Sequence, residues 1–161
     1  MLIVYMHHAD RDLSKGQNQD NPITEHEKRE ADAIGDIFGT RKFPVTCIYT
    51  GDYVRYHQTN ELINKHLQVP IYNDSRLNEI DCTGKEYEKR IHNFIHDIIV
   101  KHNNDEIVIC MTSGVALTCF MSYFMKEPIK GFSYAQGTTV SPVNFCYDKD
   151  YIKPFINEWK Q

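Results

Sequence analysis

Apolar residues are arranged along this chain in two rhythms. Leu2-Ile3-Val4-Tyr5-Met6 is an unbroken apolar and aromatic run that stops at His7 and His8. Val45 to Tyr49 and Ile107 to Met111 repeat it. Short continuous runs of this kind predict strands buried on both faces. Between them, apolar positions recur every three or four residues, the period of a half-buried helix. Ala31, Ile34, Ile37 and Phe38 predict a first helix, with Thr24 as N-cap, Glu27 as its capping-box partner and Gly39 at its end. Thr59, Leu62, Ile63 and Leu67 predict a second, from about Asp52 to His66. Tyr87, Ile91, Phe94, Ile95 and Ile98 predict a third, broken at Asn103-Asn104-Asp105, and Val115 to Phe124 an apolar fourth. Ile71-Tyr72 reads as a short strand and Ser75 to Gly84 as a loop. Lys130 to Tyr134 and Thr139 to Tyr147 read as late strands, and Ile152, Phe155, Ile156 and Trp159 as one face of a closing helix. Strands alternating with helices predict an α/β fold: three layers, α/β/α, around a mostly parallel sheet.

Length and composition narrow this without redirecting it. The 161 residues suit one domain, residues 1–161, with a sizeable core. A net charge of -4 with no basic block argues against a nucleic-acid surface. No apolar run is long enough to span a bilayer, and the apolar start at Leu2 leaves no room for the basic leader of a signal peptide, so a cytoplasmic protein is expected. The five cysteines (47, 82, 110, 119 and 146) are scattered, with no CxxC pair, and predict neither a disulfide framework nor a zinc site. Cys47, Cys110 and Cys119 sit in apolar contexts, where the thiol acts as a small core residue.

In open parallel sheets, ligand chemistry collects at the carboxyl ends of strands. His7 and His8 fall at such an end. Strand alternation would send their side chains to opposite faces, so only one is expected at the centre of a pocket. Arg55, Glu79 and the turn Thr112-Ser113-Gly114 also stand at strand ends or in loops beside them.

Taken in order, these segments resemble the histidine phosphatase superfamily, which includes the cofactor-dependent phosphoglycerate mutases. His7-His8-Ala9 is similar to the family's Arg-His-Gly after the first strand. Asp20-Asn21-Pro22-Ile23-Thr24-Glu25 resembles its Asp-x-Pro-Leu-Thr-Glu segment. Ile48 to Thr59 resembles the segment carrying the second arginine, here Arg55, with Gln58-Thr59 three and four residues on. Ser75 to Asp81 is similar to the loop bearing the acidic residue, here Glu79, and Ile107 to Val115 to the strand that ends in the second histidine.

The resemblance implies a phosphoglycerate mutase-like fold and a metal-independent phosphatase with no cofactor. His8 would attack phosphorus and carry a phosphohistidine. Glu79 would protonate the leaving oxygen. Arg55, His7, Arg11, Thr112 and Ser113 would bind phosphate. The implied partner is a small phosphorylated substrate or a phosphoprotein.

The chain also departs from the pattern. His7 replaces the triplet's arginine, Ala9 its glycine, Thr112 the second histidine and Ser113 the following glycine. A neutral histidine and two hydroxyls bring no permanent charge. Arg11 offers a substitute cation, and the start of the helix after Ser113 favours an anion. Losing one preorganised donor typically costs ~3–4 kcal/mol of barrier, so two losses predict slow turnover. Two function classes follow: phosphomonoester hydrolysis through His8, with weak activity, or a non-catalytic phosphate-binding or regulatory pseudo-phosphatase domain. Mutase activity is disfavoured, because 161 residues leave little insertion to build a second substrate pocket. The helical histidines 26, 57, 66, 92, 96 and 102 read as surface or boundary residues with no metal spacing. Cys110 has Ala116 six residues on, so a Cys-x5-Arg phosphatase motif is absent.

Overall fold

The computed structural model describes residues 1–14, 16, 21–40, 44–79, 84–124 and 137–140. The three apolar runs form adjoining strands: β1 (Leu2–His7), β2 (Val45–Thr50) and β4 (Ile107–Thr112). The short β3 (Ile71–Asn73) flanks β2, and β5 (Gly137–Val140) flanks β1, in the order β3-β2-β4-β1-β5. The first four are parallel and β5 runs antiparallel along β1. β5 starts two residues before the late strand expected at 139–147 and overlaps it at Thr139 and Val140. Residues 141–147, the strand expected at 130–134 and the expected closing helix lie outside the described residues.

Helices α1 (Glu25–Thr40) and α2 (Val54–Leu67) cover one face of the sheet. Phe38, Tyr56 and Ile63 pack there on Val4, Met6, Ile48, Ile109 and Met111. Helices α3 (Lys85–Lys101) and α4 (Gly114–Phe124) cover the other. Tyr87, Ile91, Phe94, Ile95 and Ile98, the stripe predicted for α3, are all buried there against Ile3, Tyr5, Cys47, Tyr49, Val108 and Cys110. A strand buried on both faces needs apolar residues at every position, which is why β1, β2 and β4 show no alternation.

The helix ends differ in informative ways. Thr24 caps α1 as predicted, its Oγ1 accepting from Glu27 N–H at 3.2 Å. Glu27, however, turns its carboxylate to Asp10 N–H at 3.0 Å, so the capping-box acid ties the loop after β1 to the helix. α2 starts at Val54 rather than Asp52, because Asp52 N–H is held by Asn78 Oδ1 at 2.7 Å and Tyr53 takes the extended cap position. The expected loop at 75–84 opens with a 3-10 turn, Ser75–Leu77, capped by the Asp74 carboxylate. Cys47 and Cys110 lie in the core as expected, while Cys82 and Cys146 lie outside the described residues. His26, His66, His92, His96 and His102 each lie within 4 Å of a carboxylate, and two of them hydrogen-bond it: His66 to Asp32 at 2.9 Å, and His102 to Glu106 at 2.5 Å.

β1 feeds α1 on one face and β4 feeds α4 on the other. Their register pairs His7 with Thr112. The two chains therefore leave the sheet side by side in opposite directions, the arrangement that opens a crevice at the carboxyl ends of an α/β sheet.

Candidate active site

Six of the seven residues singled out in the sequence meet around this crevice. His7 ends β1 and His8 follows it; Thr112 ends β4 and Ser113 precedes α4. Arg55 comes from the first turn of α2, and Glu79 from the loop after the 3-10 turn. Arg11 lies further along the loop that leaves β1, where it bridges to Ile23.

His8 is 4% exposed and its ring is fixed at both nitrogens. Nδ1 lies 2.6 Å from the carbonyl of Ala9. A carbonyl can only accept, so Nδ1 carries the hydrogen and Nε2 keeps its lone pair. Arg55 Nε–H donates to that Nε2 at 3.1 Å. Burial above all, then the neighbouring His7 ring and the Arg55 and Arg11 charges, push the His8 pKa down to about 2. The imidazole is therefore neutral across the physiological range, the state a nucleophile needs.

His7 repeats the arrangement: Nδ1–H donates to the His8 carbonyl at 2.7 Å. Its pKa is lowered by burial, partly offset by the bond to the His8 carbonyl and then by the Glu79 charge. Its Nε2 faces the start of α4, where a Cβ on Gly114 would approach it to 3.2 Å. The expectation that strand alternation would separate the two rings does not hold. Their centroids lie 4.3 Å apart, because the regular strand ends at His7 and His8 is free of its alternation.

Arg55 is 1% exposed. Besides His8 it reaches Glu79, Nη2 donating to Oε2 at 3.2 Å. Its guanidinium lies over the rings of Tyr53 and Tyr56, 4.5 and 4.9 Å from their centroids, in cation–π geometry. A lysine could not span these directions with one planar fork. The helix turn that presents Arg55 also steadies the His8 loop: Thr59 Oγ1 accepts from Ala9 N–H at 3.1 Å and donates to the Arg55 carbonyl at 2.7 Å. Gln58 accepts from Ile23 N–H at 2.9 Å. The Arg-x-x-Gln-Thr spacing thus joins the cation to the two segments it must face.

Thr112 is fully buried, and its hydroxyl donates to the Leu77 carbonyl at 2.7 Å. That hydrogen is spent on the loop that carries Glu79. Other bonds hold the same loop: Arg90 to the Asn78 carbonyl, Tyr53 hydroxyl to the Glu79 carbonyl, and Asn78 Nδ2 to Asp52 Oδ2 at 2.7 Å. Ser113 caps α4, its Oγ accepting from Ala116 N–H at 3.5 Å. Tyr53, Tyr56, Asn78 and Arg90 were not singled out in the sequence. The two tyrosines flanking Arg55 were the available signal, since aromatic faces suit a buried guanidinium. Asn78 and Arg90 gave none.

Among the described residues no group of three or more His, Cys, Asp or Glu could hold a metal ion. No described helix is long and apolar enough to cross a membrane.

No curated protein sequence matches the chain. Solved structures match its fold at low identity. A mycobacterial glucosyl-3-phosphoglycerate phosphatase superposes with a TM-score of 0.72 at 17% identity, covering 86% of this chain and 88% of that one. The protein histidine phosphatase SixA complexed with tungstate gives 0.72 at 13%, covering 86% of each. YhfR of Bacillus stearothermophilus gives 0.71 at 21%, covering 86% and 89%. The family model of the histidine phosphatase superfamily (branch 1) matches residues 6–88, a span that includes His7, His8, Arg55 and Glu79. The chain belongs to the histidine phosphatase superfamily.

Proposed function

We propose that this protein hydrolyses phosphomonoesters through a phosphohistidine on His8. The observation that carries the reading is the His8 ring itself: protonated on Nδ1, neutral, with the Nε2 lone pair beside a buried guanidinium. His8 Nε2 attacks phosphorus as the ester P–O bond breaks, and the Glu79 carboxyl gives its proton to the leaving oxygen. Glu79, now a carboxylate, then takes a proton from water. The water oxygen attacks phosphorus, the N–P bond breaks, and inorganic phosphate leaves with His8 neutral again. Arg55 holds the phosphoryl oxygens by charge-assisted hydrogen bonds, with His7, Ser113 and the Arg11 charge around it. Thr112 acts by holding the Glu79 loop. The reading takes residues 1–161 as one cytoplasmic domain that needs no metal. Its substrate is a small phosphorylated molecule or a phosphoprotein, two classes named among the structural neighbours.

One observation favours a non-catalytic anion-binding role instead. Arg55 is already engaged by His8 and Glu79, and the Thr112 hydroxyl by Leu77. The assay is hydrolysis of an aryl phosphate by the purified protein and by His8→Ala. Turnover abolished by the substitution, with a covalent phosphate on the chain that resists alkali and is lost in acid, supports the catalytic reading. Equal turnover in both proteins, or none in either, sinks it.

A further inference from the structure

Around Ser113 the structure holds polar groups that the mechanism above leaves unused. Tyr56 and Tyr87 are 0% and 2% exposed, and neither hydroxyl closes a hydrogen bond of good geometry among the described residues, although the Glu79 backbone also lies near that of Tyr56. They come from different helices on opposite faces of the sheet, yet both approach the Ser113 hydroxyl without closing a bond of good geometry. A buried hydroxyl without a partner is costly, and native proteins rarely keep one without a use.

The place they meet is chemically distinctive. Ser113 caps α4, whose first turn carries the partial positive charge of a helix N-terminus. Gly114 lies against His7. The Tyr56 ring packs 5.2 Å from His8, centroid to centroid, and its face receives the Arg55 guanidinium. It is also pinned from behind: a Cβ on Gly51 would come within 2.7 Å of the Tyr56 ring. Burial pushes the Tyr56 pKa up to about 12 and the Tyr87 pKa up as well, so both keep their hydrogens. A serine hydroxyl that accepts the cap bond also keeps a hydrogen to donate.

We infer that Tyr56, Tyr87 and Ser113 form an oxyanion subsite at the start of α4, donating neutral hydrogen bonds to a phosphoryl oxygen where relatives with a second histidine would supply a cation. The subsite rests on the proposed phosphatase reading for its place in catalysis, and on the helix terminus and two unpartnered hydroxyls for its existence. The donor lost with Thr112 at the second histidine's position would then come from aromatic side chains reaching in from both helical layers.

The test uses the full chain and tungstate, a stable tetrahedral oxyanion. Tungstate affinity is measured by calorimetry for the wild type, Tyr56→Phe, Tyr87→Phe, the double variant and Tyr5→Phe. Tyr5 has an equally buried, unpartnered hydroxyl on the core face of β1. Each of the first two is expected to weaken binding about tenfold, the scale of one hydrogen bond to a charged group, and the double variant further. Tyr5→Phe leaves it unchanged. Thermal midpoints should hold or rise, because an unpartnered hydroxyl is being removed. Aryl phosphate turnover is followed in parallel with His8→Ala. Wild-type affinity in both tyrosine variants overturns the subsite while leaving a His8-dependent phosphatase standing. Weakened binding with no His8-dependent turnover keeps the subsite and overturns the catalytic reading. No tungstate binding by the wild type overturns the subsite whatever the turnover.

Discussion

Arg55 Nε–H points at His8 Nε2 across 3.1 Å, so the sequence's most secure cation and its expected nucleophile are already in contact. Forty-seven residues separate them along the chain. The same guanidinium reaches Glu79, placing the proposed nucleophile, the cation and the proposed acid on one line of hydrogen bonds.

Arg55→Lys should disable that line while keeping the charge. An ammonium cannot serve His8 and Glu79 together through one planar fork while lying over the faces of Tyr53 and Tyr56. Turnover of an aryl phosphate should fall about a hundredfold, the scale of losing a preorganised donor, and the thermal midpoint should drop. Activity within threefold of wild type would show that the fork is dispensable.

Acid should destabilise the fold through the two buried histidines. In the unfolded chain both take up protons near the reference pKa of about 6.5. In the folded state burial lowers both, His8 to about 2. Between those limits the unfolded state binds more protons, so stability is full above pH 6.5 and is lost as pH falls, by up to about 1.4 kcal/mol per pH unit for each ring. Urea midpoints at pH 7.5, 6 and 5 check this. His8→Asn should flatten the acid slope, and an unchanged slope would assign the acid sensitivity elsewhere. A cationic role for His7 likewise becomes available only below 6.5, in the range where the fold is weakening.

Thr112→Val tests the clip on the Glu79 loop. The buried Leu77 carbonyl would lose its donor, at a cost of about 1–3 kcal/mol. Turnover should fall with tungstate affinity nearly unchanged, because the hydroxyl is committed to the loop. Thr112→Ser should restore both. A large loss of tungstate affinity in the valine variant would instead make Thr112 a direct ligand.

Gly51→Ala tests the packing behind the site. Its Cβ would fall 2.5 Å from Asn78 Oδ1 and 2.7 Å from the Tyr56 ring. Overpacking of this kind costs about 1–3 kcal/mol, and here it displaces both the Glu79 loop and the ring beside His8. Denaturant unfolding should show the loss, together with reduced turnover. A variant as stable as the wild type would mean that this corner yields freely.

The sequence by itself carried the layers and the frame of the site. Unbroken apolar runs at β1, β2 and β4 and the stripe from Tyr87 to Ile98 are local patterns, and burial on two faces or on one stripe is written directly into them. His8, Arg55 and Glu79 were legible because each stands where the family's motifs, taken in order along the chain, have their counterpart. Tertiary structure alone decided where hydrogen bonds end. Glu27 leaves its own helix cap for Asp10, and Thr112 turns from the crevice to Leu77. Tyr87 reads in sequence as one more apolar position on α3, yet its hydroxyl approaches Ser113, as that of Tyr56 does from another helix. Apolar burial is roughly additive and non-directional, so periodicity predicts it. A hydrogen bond depends on ångström-scale placement of two groups from distant segments, and no spacing along one chain encodes that.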